Sequence, residues 1–191
     1  MTRPVLLIDN LDSFTFNLVE SLQRLGAEVV VRRSSIGAAA ALAEAEALGA
    51  TIMISPGPGT PAEAGCCLEL VALAKGKVPV IGVCLGHQAI VLQGGGTVTR
   101  APEPVHGKSL LLEHDGQGPF AGLASPVRVG RYHSLCTRDL PARFTIHAEL
   151  EGMAMAYSDA QALQLGLQFH PESILTTHGD AMLANTLRMF G

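Results

Sequence analysis

The chain has 191 residues, 48% hydrophobic and 16% charged, with a formal net charge of -4. That composition suits one folded domain spanning residues 1–191 with its own core, and it excludes a disordered, coiled-coil or fibrous chain. The acidic balance leaves no basic stripe for nucleic acid, and the four cysteines (Cys66, Cys67, Cys84, Cys136) form neither C-x-x-C pairs nor a zinc-like spacing.

The opening "MTRPVLLIDN" carries one arginine and an apolar run too short for a signal peptide or a membrane span. With unpaired thiols, this points to a soluble chain in the reducing cytoplasm. The run "PVLLID" (4–9) predicts a first strand. Phe14, Leu18, Leu22 and Leu25 then share one helical face, and Gly26 ends that helix. "AEVVVRR" (27–33) predicts the next strand, and the Ala-rich segment 37–49 a surface helix built from strong helix formers. "TIMIS" (51–55), "CCLELVALAK" (66–75) and "VPVIGVC" (78–84) continue the alternation as strand, helix and strand, with a further helix from near Gly86.

Apolar strands alternating with helices predict an α/β fold, a mostly parallel central sheet flanked by helices on both faces. Ligands collect at the carboxyl ends of such strands. Three features stand at those ends: Asp9 with Asn10, "SPGPG" (55–59), and Cys84. In the second half, "GTVTRA", "VRVGRYHSL", "RFTIHAEL", "GMAMAYSD" and "ALQLGLQFH" predict strands, some antiparallel, before a closing helix over about 177–190. That helix would carry Leu183, Leu187 and Phe190 on its inner face.

Cys84 alone reads as a buried small hydrophobe, the commoner fate of a free cysteine. Its neighbours change that reading. Gly82-Val83-Cys84-Leu85-Gly86 has the small-x-nucleophile-x-small form of a sharp strand-to-helix turn. Such an elbow lifts the sulfur above the sheet at a helix N-terminus, where the dipole favours thiolate. A nucleophilic thiol needs a base, and the base needs an orienting group. His170-Pro171-Glu172 supplies both at another strand end, with the proline stiffening the link. In "ISPGPGTP" (54–61), glycines locked between prolines can aim backbone N–H groups at a developing oxyanion; the plainer reading is a rigid loop.

Elbow, glycine loop and His-Pro-Glu together resemble the class I (triad-type) glutamine amidotransferases over essentially the whole chain. The resemblance implies a flavodoxin-like fold and hydrolysis of L-glutamine by a Cys84, His170, Glu172 triad, with ammonia passed to a synthase. It implies a glutamine pocket of Gly57, Pro58, Gly59, Leu85, Gln88, Ser134 and Leu135, with the N–H groups of Gly57 and Leu85 as the oxyanion hole. No metal or cofactor is implied on this chain, and Mg²⁺ is expected on the partner synthase subunit.

"LLIDNLDSFTFNLVESL" (6–22), "HGK" (106–108) and "RYHSL" (131–135) resemble the subunits that serve chorismate-using synthases. "HGKSLLLEHDGQGPFAGL" and "PESILTTHG" look more like the anthranilate branch than the aminodeoxychorismate branch, although one subunit can serve both. GMP and CTP synthetases, which carry their amidotransferase fused to a synthase domain that 191 residues cannot also hold, are set aside. The partner, a hetero-oligomeric synthase subunit, is expected near "NLDSFTF", the 86–96 helix and His106 to Lys108. For Lys108 a solvated surface charge is the plainer reading.

Three rivals fit less of the chain. A non-catalytic module should lack a triad member, and a solitary γ-glutamyl hydrolase leaves "NLDSFTF" and "HGK" unexplained. A flavin carrier would want a phosphate loop where Asp9 and Asp12 stand. The Cys66-Cys67 pair falls outside the family pattern, and "LQGGGTV" (92–98) carries more glycine than the fold requires, loosening the end of the elbow helix.

Overall fold

A computed structural model describes residues 3–190. The first half alternates as the spacing predicts: β1 (Val5–Asp9), α1 (Thr15–Arg24), β2 (Val29–Arg33), α2 (Ala38–Leu48), β3 (Thr51–Ile54), α3 (Cys67–Ala74), β4 (Val80–Val83) and α4 (Leu85–Gln93). The second half contributes β5 (Thr97–Arg100), β6 (Lys108–Leu112), β7 (Val127–Arg131), β8 (Leu135–Arg138), β9 (Thr145–Leu150), β10 (Met153–Asp159), β11 (Gln164–Leu167) and α5 (Gly179–Arg188).

A seven-stranded sheet runs in the order β2-β1-β3-β4-β11-β10-β9. Strands β2, β1, β3, β4 and β11 are parallel, and β10 and β9 add an antiparallel edge. The order 2-1-3-4-5 of its parallel part is the flavodoxin-like one, with a topological switch between β1 and β3. Alternate strand residues feed two cores, as the period-two geometry of a strand requires. Leu6, Ile8, Ile52, Ile54 and Val80 pack beneath α2, α3 and α4. Leu7, Met53, Ile81, Val83 and Leu165 pack with Leu18 and Leu22 of α1 and Met182 and Leu183 of α5. Ala38, Ala41 and Ala45 give α2 a buried stripe on an otherwise exposed helix.

Two small antiparallel pairs, β5 with β8 and β6 with β7, stand outside the main sheet. Here the structure departs from expectation. The predicted strand through "VRVGRYHSL" breaks after Arg131, and β8 begins at Leu135. The break frees Tyr132, His133 and Ser134 to turn toward the end of β4. Strand β6 is absent from the strands expected above, and its burial is mixed with no clean alternation. The closing helix starts at Gly179 rather than Thr177, with Leu183 and Leu187 buried as predicted.

Two further expectations are corrected. Residues Leu85–Val91 of α4 are buried, so that helix offers a partner little beyond its last turn. The glycines after it are required by packing. A Cβ on Gly94 would lie 2.8 Å from Phe144 Cζ, and one on Gly96 2.6 Å from Val91 Cγ1. Gly95 takes a φ of 88°, which disfavours any side chain. Among the described residues no helix is long and apolar enough to cross a membrane.

Candidate active site

The parallel strands deliver their C-terminal ends to one rim. β3 ends in Ser55 and the proline-glycine loop, β4 in Cys84, and β11 in Gln168 to His170. At the switch point Asn10 joins β1 to β3: its N–H donates to Ser55 Oγ at 3.0 Å, and its Nδ2 to the Ser55 carbonyl at 3.1 Å. Cys67 acquires a role here, donating its thiol proton to Asn10 Oδ1 at 3.2 Å. The neighbouring Cys66 thiol and burial push Cys67 well above the usual thiol range, so it keeps that proton. Gly57 passes so close that a Cβ would sit 2.5 Å from Asn10 Cβ. No other residue fits there without moving β1.

Cys84 is the elbow residue. Its backbone takes φ 52° and ψ -98°, a conformation disfavoured for an L residue, between β4 and the start of α4. Its N–H is held by the Leu167 carbonyl at 2.8 Å. Both flanking glycines are needed for the turn: a Cβ on Gly82 would overlap the Gly86 backbone, and one on Gly86 would lie 2.5 Å from the Ile54 carbonyl oxygen.

His170 and Glu172 meet as the spacing suggests, with Nδ1–H donating to Glu172 Oε1 at 2.7 Å. Both side chains are buried, at 2% and 0% exposure. His170 is fixed by its backbone: its N–H donates to the Gly130 carbonyl at 3.0 Å, and its carbonyl accepts from Thr176 Oγ1 at 2.6 Å. Phe14 and Tyr132 wall the imidazole, with ring centroids 5.5 and 4.9 Å away. Phe14 therefore serves this site, just ahead of α1, instead of joining Leu18 and Leu22 in the core. Burial lowers the His170 pKa, but the Cys84 sulfur and the Glu172 carboxylate outweigh it and push the imidazole up to about 10. Nε2 makes no well-aligned hydrogen bond of its own, as is common when a catalytic contact tightens only around substrate.

In front of Cys84 lies a cavity of about 150 Å³. Gly57, Pro58, Gly59, Gln88, Ser134 and Leu135 line it, joined by Tyr132 and His133. Leu85 does not line it. That side chain is buried against the Gly57 loop, which leaves its amide, the first of α4, as what it can offer. A larger groove of about 850 Å³, between α1 and the start of α5, touches Pro171 and Glu172 but not Cys84.

Sequence reasoning passed over the residues that hold the cavity wall. His133 Nδ1–H donates to the Leu135 carbonyl at 2.7 Å, and its Nε2 accepts from the buried Arg131 Nε–H at 3.0 Å. Burial and the Arg131 charge pull His133 down to about 4, so it stays neutral and able to accept. Both residues sit inside "RYHSL", where only Ser134 and Leu135 were expected to face the substrate. The predicted contact residues His106 to Lys108 lie near this wall: the His106 ring is 5.9 Å from Tyr132, and exposed Lys108 pairs with Glu103 at 3.3 Å.

Known proteins resemble this chain along nearly its whole length. The family model "Glutamine amidotransferase class-I" matches residues 6–190. An anthranilate synthase component 2, pyocyanine specific, from Pseudomonas aeruginosa is 51% identical over 98% of this chain and 94% of its own. Anthranilate synthase component 2 of Vibrio parahaemolyticus is 45% identical over 96% and 94%. Among solved structures, a candidate GMP synthase subunit from Thermoplasma acidophilum superposes with a TM-score of 0.85 at 24% identity, covering 99% of this chain and 94% of that one. A glutamine amidotransferase from Thermotoga maritima gives 0.72 at 16%, covering 100% and 99%. The elbow, the buried His-Glu pair, the glycine loop and the near full-length matches lead to one conclusion: this chain belongs to the class I glutamine amidotransferase family.

Proposed function

We propose that the protein is the glutamine amidotransferase component of an anthranilate synthase. It would hydrolyse L-glutamine through Cys84, His170 and Glu172 and pass ammonia to a chorismate-using synthase subunit in the cytoplasm. The observation that carries the chemistry is the buried His170–Glu172 pair beside an elbow cysteine at the mouth of one small cavity. The anthranilate branch rests on relatives of that name at 44–51% identity over nearly the whole chain.

In this reading glutamine enters with its carboxamide above Cys84, and the thiolate attacks the amide carbon. The Gly57 and Leu85 N–H groups receive the oxyanion; losing one such donor costs about 3–4 kcal/mol of transition-state stabilisation in a well-studied hydrolase. His170 protonates the departing nitrogen, ammonia leaves, and a glutamyl thioester remains. His170 then takes a proton from water, the resulting hydroxide attacks the thioester carbon, and the C–S bond breaks to release glutamate and restore the thiolate. Gln88, Ser134 and Leu135 would hold the amino-acid end of the substrate.

Ammonia must reach its acceptor before gaining a proton, so a partner has to cover this rim. Leu11, Phe16 and Ile174 are exposed at 69%, 72% and 98%, and they offer such a cover apolar surface. The test is glutamine-dependent product formation from chorismate and Mg²⁺, mixing this chain with each synthase subunit from the same source. Anthranilate with one partner is the expected result. Aminodeoxychorismate alone would move the protein to the other branch. Failure with both partners, each active on added ammonia, would overturn ammonia delivery.

A further inference from the structure

Gln168 takes no part in the mechanism above, yet it is fully buried and its Nε2 lies 3.8 Å from Cys84 Sγ. A glutamine amide can present either its oxygen or its nitrogen to a neighbour, so the direction of this contact needs an independent anchor. The Leu135 carbonyl provides one, because a carbonyl can only accept. Gln88 approaches it at 3.4 Å and must do so with Nε2. The same Nε2 lies 3.2 Å from the second amide, whose facing atom must then be Gln168 Oε1. The other end of Gln168, turned to the sulfur, is therefore N–H. His133 obeys the same anchor, donating Nδ1–H to Leu135 and leaving Nε2 to accept from Arg131.

We propose that Gln168 is a further catalytic residue, whose side-chain N–H donates to the Cys84 sulfur and holds it as thiolate, its orientation set by the Leu135 carbonyl through Gln88. A donor aimed at the charged form of a group favours that form. Gln168 approaches from the end of β11, while His170 follows two residues later on the same segment, so one strand end supplies both a fixed donor and a mobile proton. The arrangement also refines Gln88, whose nitrogen is engaged within the wall, leaving its Oε1 for a donor on the substrate.

The inference rests on Cys84 being the nucleophile, and its test does not depend on glutamine turnover. Alkylation of Cys84 by iodoacetamide, followed by mass spectrometry of its peptide across pH, reads the thiolate directly. Gln168→Met keeps the volume and removes the donor. It is expected to slow alkylation and to displace its pH profile upward, since the charged sulfur has lost a donor. Glutaminase kcat should fall by a larger factor than KM rises, because the lost donor acts on the sulfur while Gln88, deprived of one acceptor, keeps the Leu135 carbonyl. Gln168→Glu, which places oxygen where the nitrogen stood, should slow alkylation further. In the unsubstituted protein the Gln168 side-chain amide signals should shift as Cys84 titrates, a reading that needs no variant to fold. An unchanged alkylation profile in either folded variant, or amide signals indifferent to that titration, overturns the proposal. Normal alkylation behaviour with no glutamine hydrolysis would instead count against the function proposed above.

Discussion

Glu172 reaches His170 across a single proline, which leaves the pair little freedom to separate. The carboxylate fixes the Nδ1–H tautomer, so Nε2 is the atom left for proton transfer. Cys84→Ser and His170→Ala should each lower glutamine hydrolysis by at least about a thousandfold, as loss of either core member does in triad hydrolases. Glu172→Gln should retain roughly ten- to a hundredfold more activity than His170→Ala, because it orients without bonding to substrate. Steady-state glutaminase assays with a circular dichroism control check the order. The raised pKa adds a sign: His170 holds its proton at neutrality and loses it only as pH rises through about 10. Glutamine hydrolysis should decline on that alkaline limb, and in Glu172→Gln the limb should move to lower pH.

Helix α5 shows how an element outside the cavity can govern it. A Cβ at Gly179, the first residue of α5, would overlap the Pro171 carbonyl. Gly179→Ala must displace either α5 or the His170–Glu172 segment, so it should lower both melting temperature and kcat while leaving glutamine affinity nearly intact. Thermal melts beside kinetics test this, and unchanged values of both would mean the contact yields freely. The same scale explains what the sequence disclosed. The alternation of β1 to α4 was legible because each segment carries its own period and its own glycine stop, and Cys84, His170 and Glu172 were legible because each sits in a local motif. Gln168, His133 and Arg131 were not, since their roles exist only when β11, α4 and the break after β7 converge. Nor was Phe14, whose helical spacing to Leu18 was correct while its ring turned to His170.

Across the whole molecule, burial of neutral histidine ties stability to pH. His87 lies fully buried behind the elbow, donating or accepting at Thr137 Oγ1 over 2.8 Å, and burial pulls it from the ordinary 6.5 to about 3. Its contribution is complete above about 6.5 and is lost as pH falls toward 3, by up to about 1.4 kcal/mol per pH unit. Melting temperature should therefore fall from pH 7 to pH 4, and His87→Gln should flatten that slope whatever it does to stability at neutrality. The exposed apolar rim proposed above to receive a partner acts through binding instead. Phe16→Asp and Ile174→Asp should weaken synthase binding at least about tenfold, measured by titration calorimetry, while the free chain's glutaminase rate stays unchanged. The backbone of Cys84 carries one last implication. A residue held at φ 52° and ψ -98° costs about 1–3 kcal/mol that glycine would largely escape. Cys84→Gly should melt higher than the natural protein. Mutation alone would then drift this position toward glycine in any lineage that no longer needed ammonia from glutamine, and only selection for turnover, against the gradient of stability, keeps a sulfur there.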